Sequence, residues 1–140
     1  MVCNGAEKKP FEFDISHSPD LFPILAVLAS NTEGESSLFG GEHLKFKESD
    51  RISTTVAMLN DIGVNAKTRD DGCVVYGTGR IRGGAVRTHG DHRIMMAATI
   101  AGLASEEGVK MDDDNSYAVS YPRFLDDIHS LGGDVKEVTD

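Results

Sequence analysis

Two stretches, Leu21 to Ala29 and Ile94 to Ala104, are apolar at nearly every position. A helix lying on a protein surface keeps a polar face, so runs of this kind need sheet or helix neighbours on several sides. They point to a compact α+β domain with buried helices inside and sheets outside. Pro23 fits the first run only in its opening turn, where its missing N–H has no intrahelical partner, which makes Asp20 the expected N-cap. Asp91 stands in a similar position before the second run.

The remaining chain reads as strands, turns and two further helices. Phe11 to Ile15 alternates apolar and polar residues as a strand does, and Ser36 to Phe39 is a second strand ended by Gly40-Gly41. Ile52, Val56, Leu59 and Ile62 recur at three- and four-residue steps before Gly63, predicting an amphipathic helix with a charged start at Lys47-Glu48-Ser49-Asp50-Arg51. Val64 to Thr68 and Cys73 to Tyr76 are strands joined across Arg69-Asp70-Asp71-Gly72. That order is βαβαββ. It then restarts, with a strand at Ala85 to Thr88, the second apolar helix, a strand at Val109 to Met111, a helix at Pro122 to Leu131 stopped by Gly132-Gly133, and a closing strand at Asp134 to Val138. The expected organisation is a polar tail or linker at 1–9 and two repeated βαβαββ units at 10–78 and 79–140, a period of roughly 70 residues, too long for a solenoid.

Composition narrows the functional classes. At 140 residues, with 39% hydrophobic and 26% charged residues, the chain suits one core. A net charge of -9 argues against a nucleic-acid partner, because a phosphate backbone needs a basic surface. No apolar run approaches the roughly 18 residues of a membrane span, and no basic-then-apolar signal opens the chain, so the expected setting is cytoplasmic with no membrane partner. Cys3 and Cys73 have neither metal-ligand spacing nor disulfide density and read as reduced thiols, neither of them a nucleophile.

Polar residues that serve no core gather at three helix starts: Asp20; Lys47, Glu48 and Arg51; and Asp91, His92 and Arg93. At about 100° per residue, Glu48 falls in line with Ile52 and Val56, and Arg51 sits one turn on from Lys47 and Glu48. Helix starts offer free N–H groups, and two arginines there make a fork for a carboxylate or phosphate. The acids and His92 add proton donors and acceptors. Plainer readings stand beside these: Asp20 and Asp91 as caps, His92 as a surface residue, and the charged helix start as a solvated end complementing the macrodipole. Asp112-Asp113-Asp114-Asn115 lacks the glycine and closing Glu of a calcium loop and reads as a solvated acidic loop, while His17, His43, His89 and His129 fall at no metal-ligand spacing.

Lys47-Glu48-Ser49-Asp50-Arg51, Gly90-Asp91-His92-Arg93-Ile94-Met95-Met96, Asp14 to Leu25 and Ser120-Tyr121-Pro122-Arg123-Phe124 occur in an order and spacing that resemble the 5-enolpyruvylshikimate-3-phosphate synthase family. The resemblance runs from about Phe11 to the end. It implies a two-domain enzyme, each domain made of three βαβαββ units around an active-site cleft, with this chain as the C-terminal third and the N-terminal domain as its missing partner. The implied substrates are phosphoenolpyruvate and shikimate 3-phosphate, and no metal or organic cofactor is implied. Asp20 resembles the carboxylate that holds and deprotonates the 5-hydroxyl of shikimate 3-phosphate. Glu48 resembles the acid handling the proton at the methylene carbon of phosphoenolpyruvate, with His92 as its hydrogen-bond neighbour and Lys47 as a second proton-transfer group. Arg51 and Arg93 match the pair that grips the phosphoenolpyruvate carboxylate. The chain departs from the family pattern at Val119, where a lysine is usual, and at His43, where some members carry asparagine. Two further readings are a related transferase acting on UDP-N-acetylglucosamine, against which the Lys47 to Arg51 motif argues, and a non-catalytic anion-binding module. With a third unit absent, exposed apolar surface and self-association are expected.

Overall fold

The computed structural model describes residues 1, 5, 7–112 and 115–138. In chain order the elements are β1 (Glu12–Asp14), α1 (Phe22–Ser30), β2 (Gly34–Phe39), α2 (Arg51–Asp61), β3 (Asn65–Arg69), β4 (Gly72–Gly77), β5 (Gly84–Val86), α3 (His92–Ala104), β6 (Val109–Met111) and α4 (Phe124–Ser130). Short 3-10 turns at Pro19–Leu21, Glu42–Phe46 and Ser116–Val119 lie between them.

Four strands form one sheet in the order β1-β2-β4-β3, and β5 and β6 form a second, two-stranded sheet. β1 and β2 are parallel and joined through α1; β5 and β6 are likewise parallel and joined through α3. Parallel neighbours need a crossover of this length, so each apolar run is the helix of a βαβ unit. β2 and β3 each pair antiparallel with β4, which is buried at five of its six positions and runs through the middle of the sheet.

α1 packs against α3, α2 and β4, which explains why it has so little polar surface. Ala26 and Ala29 of α1 and Ala98 and Ala101 of α3 are fully buried, and such small side chains let the helix axes approach closely. Phe22, Leu38, Leu59, Ile62 and Val75 fill the space around them. The helices are not covered everywhere. Leu28 of α1 is 46% and Leu103 of α3 44% exposed.

Three elements differ from the sequence-based expectation. α2 begins at Arg51, not at Lys47: Asp50 has extended backbone angles, and its side chain accepts from the Ser53 N–H at 3.3 Å. A run of polar residues has no apolar period to hold it on the core, so the Asp cap decides the start, and Lys47-Glu48-Ser49 form the bend before it. Asp20 is not a cap; it lies inside the Pro19–Leu21 turn, and the N-cap of α1 is Leu21, which makes no side-chain cap bond. Residues 134–138 form no strand, because they lie across an open hollow from β6 without pairing to it; the segment is fixed in part by the His129 ring, whose Nε2 lies 2.6 Å from the Val135 carbonyl oxygen. Cys3, Asp113 and Asp114 lie outside the described residues.

Gly77 marks the closest approach of the sheet to α1, where a Cβ would run into the Ala29 and Thr32 carbonyl oxygens. Gly79, at φ +79, has open space around it. Gly77→Ala is therefore expected to cost about 2–3 kcal/mol and Gly79→Ala only about 1–2 kcal/mol of left-handed strain, read from urea unfolding midpoints. Equal midpoints would contradict the packing described for β4.

Candidate active site

The starts of α1, α2 and α3 converge, and the side chains they carry meet around the guanidinium of Arg51. Arg51 is the first residue of α2, yet only 1% exposed. Its Nε donates to Asp91 Oδ2 at 3.0 Å and its Nη2 to Asp91 Oδ1 at 3.2 Å, a two-pronged pair across 40 residues of chain. Nη1 donates to Asp20 Oδ1 at 2.9 Å and Nη2 also donates to Glu48 Oε2 at 2.7 Å. The second oxygen of Asp20 lies 3.5 Å from Arg93 Nη2, so Asp20 bridges the two arginines. The Nε of Arg93 is buried and meets no acceptor among the described residues.

Asp91 is fully buried and its acceptor positions are filled. Besides Arg51 it accepts from the Ser49 hydroxyl at 2.8 Å and from the Arg93 backbone N–H at 3.0 Å, the latter as the N-cap of α3. Burial alone would raise its pKa; the hydrogen bonds from Arg51 and Ser49, the Arg51 charge and the Arg93 N–H outweigh burial and hold it below the usual carboxylate range. Burial likewise works against the charge on Arg51, but the bond and charge of Asp91, the charge of Glu48 and the bond to Asp20 raise its pKa above the ordinary value. The turn into this helix places His89 at φ 54 and Gly90 at φ 66, a left-handed pair that is costly for the non-glycine residue.

The family model for EPSP synthase (3-phosphoshikimate 1-carboxyvinyltransferase) matches residues 1–128. The chain belongs to the EPSP synthase family. A 3-phosphoshikimate 1-carboxyvinyltransferase of Methanocorpusculum labreanum is 48% identical over 98% of this chain, and one of Clostridium acetobutylicum is 40% identical over 89%. The chain spans 32% and 29% of their respective lengths. An EPSP synthase structure from Acinetobacter baumannii aligns with 82% of this chain and 27% of its own at a TM-score of 0.78 and 30% identity. The enolpyruvyl transferase NikO from Streptomyces tendae shares the fold, with a TM-score of 0.73 over 94% of this chain and 30% of its own, at 21% identity.

For a member of this family the arrangement has the parts for anion binding and proton transfer in one place. Asp20, Glu48, Arg51 and Arg93 are brought together; Asp20 and Glu48 are each half exposed, with side chains 51% accessible. Lys47 is exposed on the bend before α2 and forms no ion pair with this cluster. His92 is only 8% exposed, so it is not the surface residue of the plainer reading, and no hydrogen bond joins it to Glu48, which turns onto Arg51 instead. Ile24, Met96, Ile100 and Phe124 wall a hollow of about 200 Å³ whose polar end is Asp20 and Arg93. A larger hollow of about 780 Å³, between α3, β6 and residues 134–138, holds none of these groups.

Sequence pattern alone does not mark Ser49, and it offers Asp91 as a cap or an acid at a helix start, not as the buried counter-ion of Arg51. The polar run before α2 was the available signal for Ser49. Asp112 is not merely solvated, since it accepts from the Thr88 N–H at 2.9 Å and fastens the end of β5. Cys73 is buried and free, and burial pushes its thiol up to about 12, which makes it a poor nucleophile. Among the described residues no group of His, Cys, Asp and Glu is arranged to hold a metal ion.

Asp91→Asn removes the counter-charge of a buried cation and is expected to cost about 3 kcal/mol or more at neutral pH. Because the folded-state pKa is depressed, the contribution is present above the unfolded value of about 3.9 and fades as pH falls through the folded value. Urea midpoints of the two proteins should therefore differ widely at pH 7 and approach each other progressively as pH is lowered below about 4; a constant gap would contradict the assignment.

Proposed function

We propose that this chain supplies one wall of the active site of an enzyme that transfers the enolpyruvyl group of phosphoenolpyruvate to the 5-hydroxyl of shikimate 3-phosphate, releasing phosphate in the shikimate route to aromatic amino acids. The observation that carries the reading is Asp20, a half-exposed carboxylate bridging two arginines at the mouth of a hollow. Vinyl transfer of this kind adds a hydroxyl oxygen to the substituted carbon of the enol and a proton to its methylene carbon. It then expels phosphate and removes a proton from that same carbon, restoring the double bond. The steps need a base for the hydroxyl, an acid that later accepts a proton, and cations to neutralise a substrate with several negative charges.

In this assignment Asp20 takes the hydroxyl proton, and Glu48 gives and then removes the proton at the methylene carbon. The same assignment makes Lys47, on the bend beside Glu48, a second proton-transfer group and pairs His92 with Glu48, a hydrogen bond that is not formed while Glu48 is held by Arg51. Arg51 and Arg93 hold the carboxylate of phosphoenolpyruvate. The unsatisfied Arg93 Nε favours this role, since a buried donor without an acceptor carries a desolvation cost that a ligand oxygen would relieve. The substrates' remaining phosphate contacts and the opposite wall belong to the part of the relatives' length that this chain does not span, so the chain by itself is read as an incomplete and nearly inactive site. No described helix is long and apolar enough to cross a membrane, in keeping with a cytoplasmic enzyme.

Titration calorimetry with phosphoenolpyruvate and with shikimate 3-phosphate tests the reading. Arg93→Ala is the informative variant, because truncating Arg51 would strand buried Asp91. It should weaken phosphoenolpyruvate binding by about tenfold or more, the loss of one charge-assisted hydrogen-bond set. Unchanged binding would contradict the assignment; rapid phosphate release by the chain alone would contradict the reading of it as an incomplete site.

A further inference from the structure

All three nitrogens of Arg51 are already engaged by the protein's own carboxylates, although the proposed function asks the same guanidinium to hold a ligand carboxylate. Its three partners are not equivalent. Asp91 is fully buried and also held by Ser49 and the start of α3. Asp20 and Glu48 are half exposed, and each reaches Arg51 through a single oxygen from a turn outside the helices. Arg93 is bound still more loosely, by one contact of 3.5 Å to Asp20.

We propose that Asp20 and Glu48 act as built-in surrogates for the ligand: in the free chain they occupy Arg51 and Arg93, and a ligand carboxylate binds by displacing them. The inference rests on the anion-binding reading above and deepens it. A guanidinium this deeply buried requires counter-charge at all times, whereas half-exposed ion pairs contribute little and are readily exchanged. Replacing one carboxylate with another keeps Arg51 neutralised throughout. Asp91 stays in place and fixes the orientation of the guanidinium, while Asp20 and Glu48 are freed next to the bound ligand. Two proton-transfer groups are thus occupied when the site is empty and released when it fills. The same contacts lower the apparent affinity, because only the fraction of molecules with the arginines vacated is competent to bind.

The test measures phosphoenolpyruvate binding to the 140-residue chain by calorimetry for wild type, Glu48→Gln, Glu48→Asp and Arg93→Ala, with urea midpoints to verify folding. Glu48→Gln removes the competing charge. Glu48→Asp keeps the charge but withdraws the oxygen by one methylene. Glu48→Gln should tighten binding by about threefold or more, with Glu48→Asp moving in the same direction by a smaller factor. If Glu48→Gln leaves binding unchanged or weakens it while Arg93→Ala still weakens it, the site binds anions but Glu48 is no surrogate. If Glu48→Gln tightens binding and Glu48→Asp does not, general charge repulsion accounts for the gain, and the exchange is overturned. Binding that ignores Arg93→Ala, or no binding by any variant, removes the anion-site reading and the inference with it.

Discussion

Arg51 carries a permanent charge into a position with 1% exposure, and the surrounding architecture is arranged to neutralise it. An isolated ion there would cost several kcal/mol even after relaxation. Its one fully buried counter-charge, Asp91, comes from 40 residues further along the chain, so the pair fastens the start of α3 to the start of α2. Asp91 in turn caps α3 and receives the Ser49 hydroxyl, leaving none of its oxygens idle. A pair of this kind adds less net stability than a well-packed apolar substitute, but it specifies one arrangement, because every shifted alternative strands a charge.

That constraint also shapes the chemistry. The inner side of the guanidinium is held by Asp91, and its remaining reach goes to the half-exposed Asp20 and Glu48. Two arginines facing three acids leave the cluster without surplus positive charge, in a chain whose net charge is -9. In the proposed binding mode an anion is accommodated by moving carboxylates aside, not by filling an empty positive well. The hollow beside Asp20 and Arg93 is walled by apolar side chains from α1, α3 and α4, which lowers the local dielectric on one side of these two groups. The exposure of Asp20 and Glu48 shows that the other side is open to water in this chain.

What could be read from the sequence was what local physics controls. The apolar runs gave α1 and α3, the stripe from Ile52 to Ile62 gave α2, and the turn at Arg69 to Gly72 gave the β3–β4 hairpin. The motifs at Lys47 to Arg51 and Gly90 to Arg93 contain Glu48, Arg51, Asp91 and Arg93, which converge, together with Lys47, which forms no ion pair with them, and His92, which forms no hydrogen bond with Glu48. Their connectivity was not legible, because it depends on approaches across 31 residues for Asp20 and 40 for Asp91. An aspartate before a helix looks the same whether it caps the backbone or reaches for a distant arginine, and Asp20 and Asp91 divide on that point: Asp91 does both, Asp20 only the second. Residues 134–138 read as a closing strand in the sequence, but a strand exists only where backbone partners engage it, and among the described residues these five pair with no strand.

Arg51 and Asp91 act as one unit joining the start of α2 to the start of α3. A double-mutant cycle on unfolding free energy, with Arg51→Gln, Asp91→Asn and the combination, isolates that coupling. A coupling of about 3 kcal/mol, with the double variant little worse than either single one, is the expected result. A coupling below about 0.5 kcal/mol, with the single effects simply adding, would contradict the account.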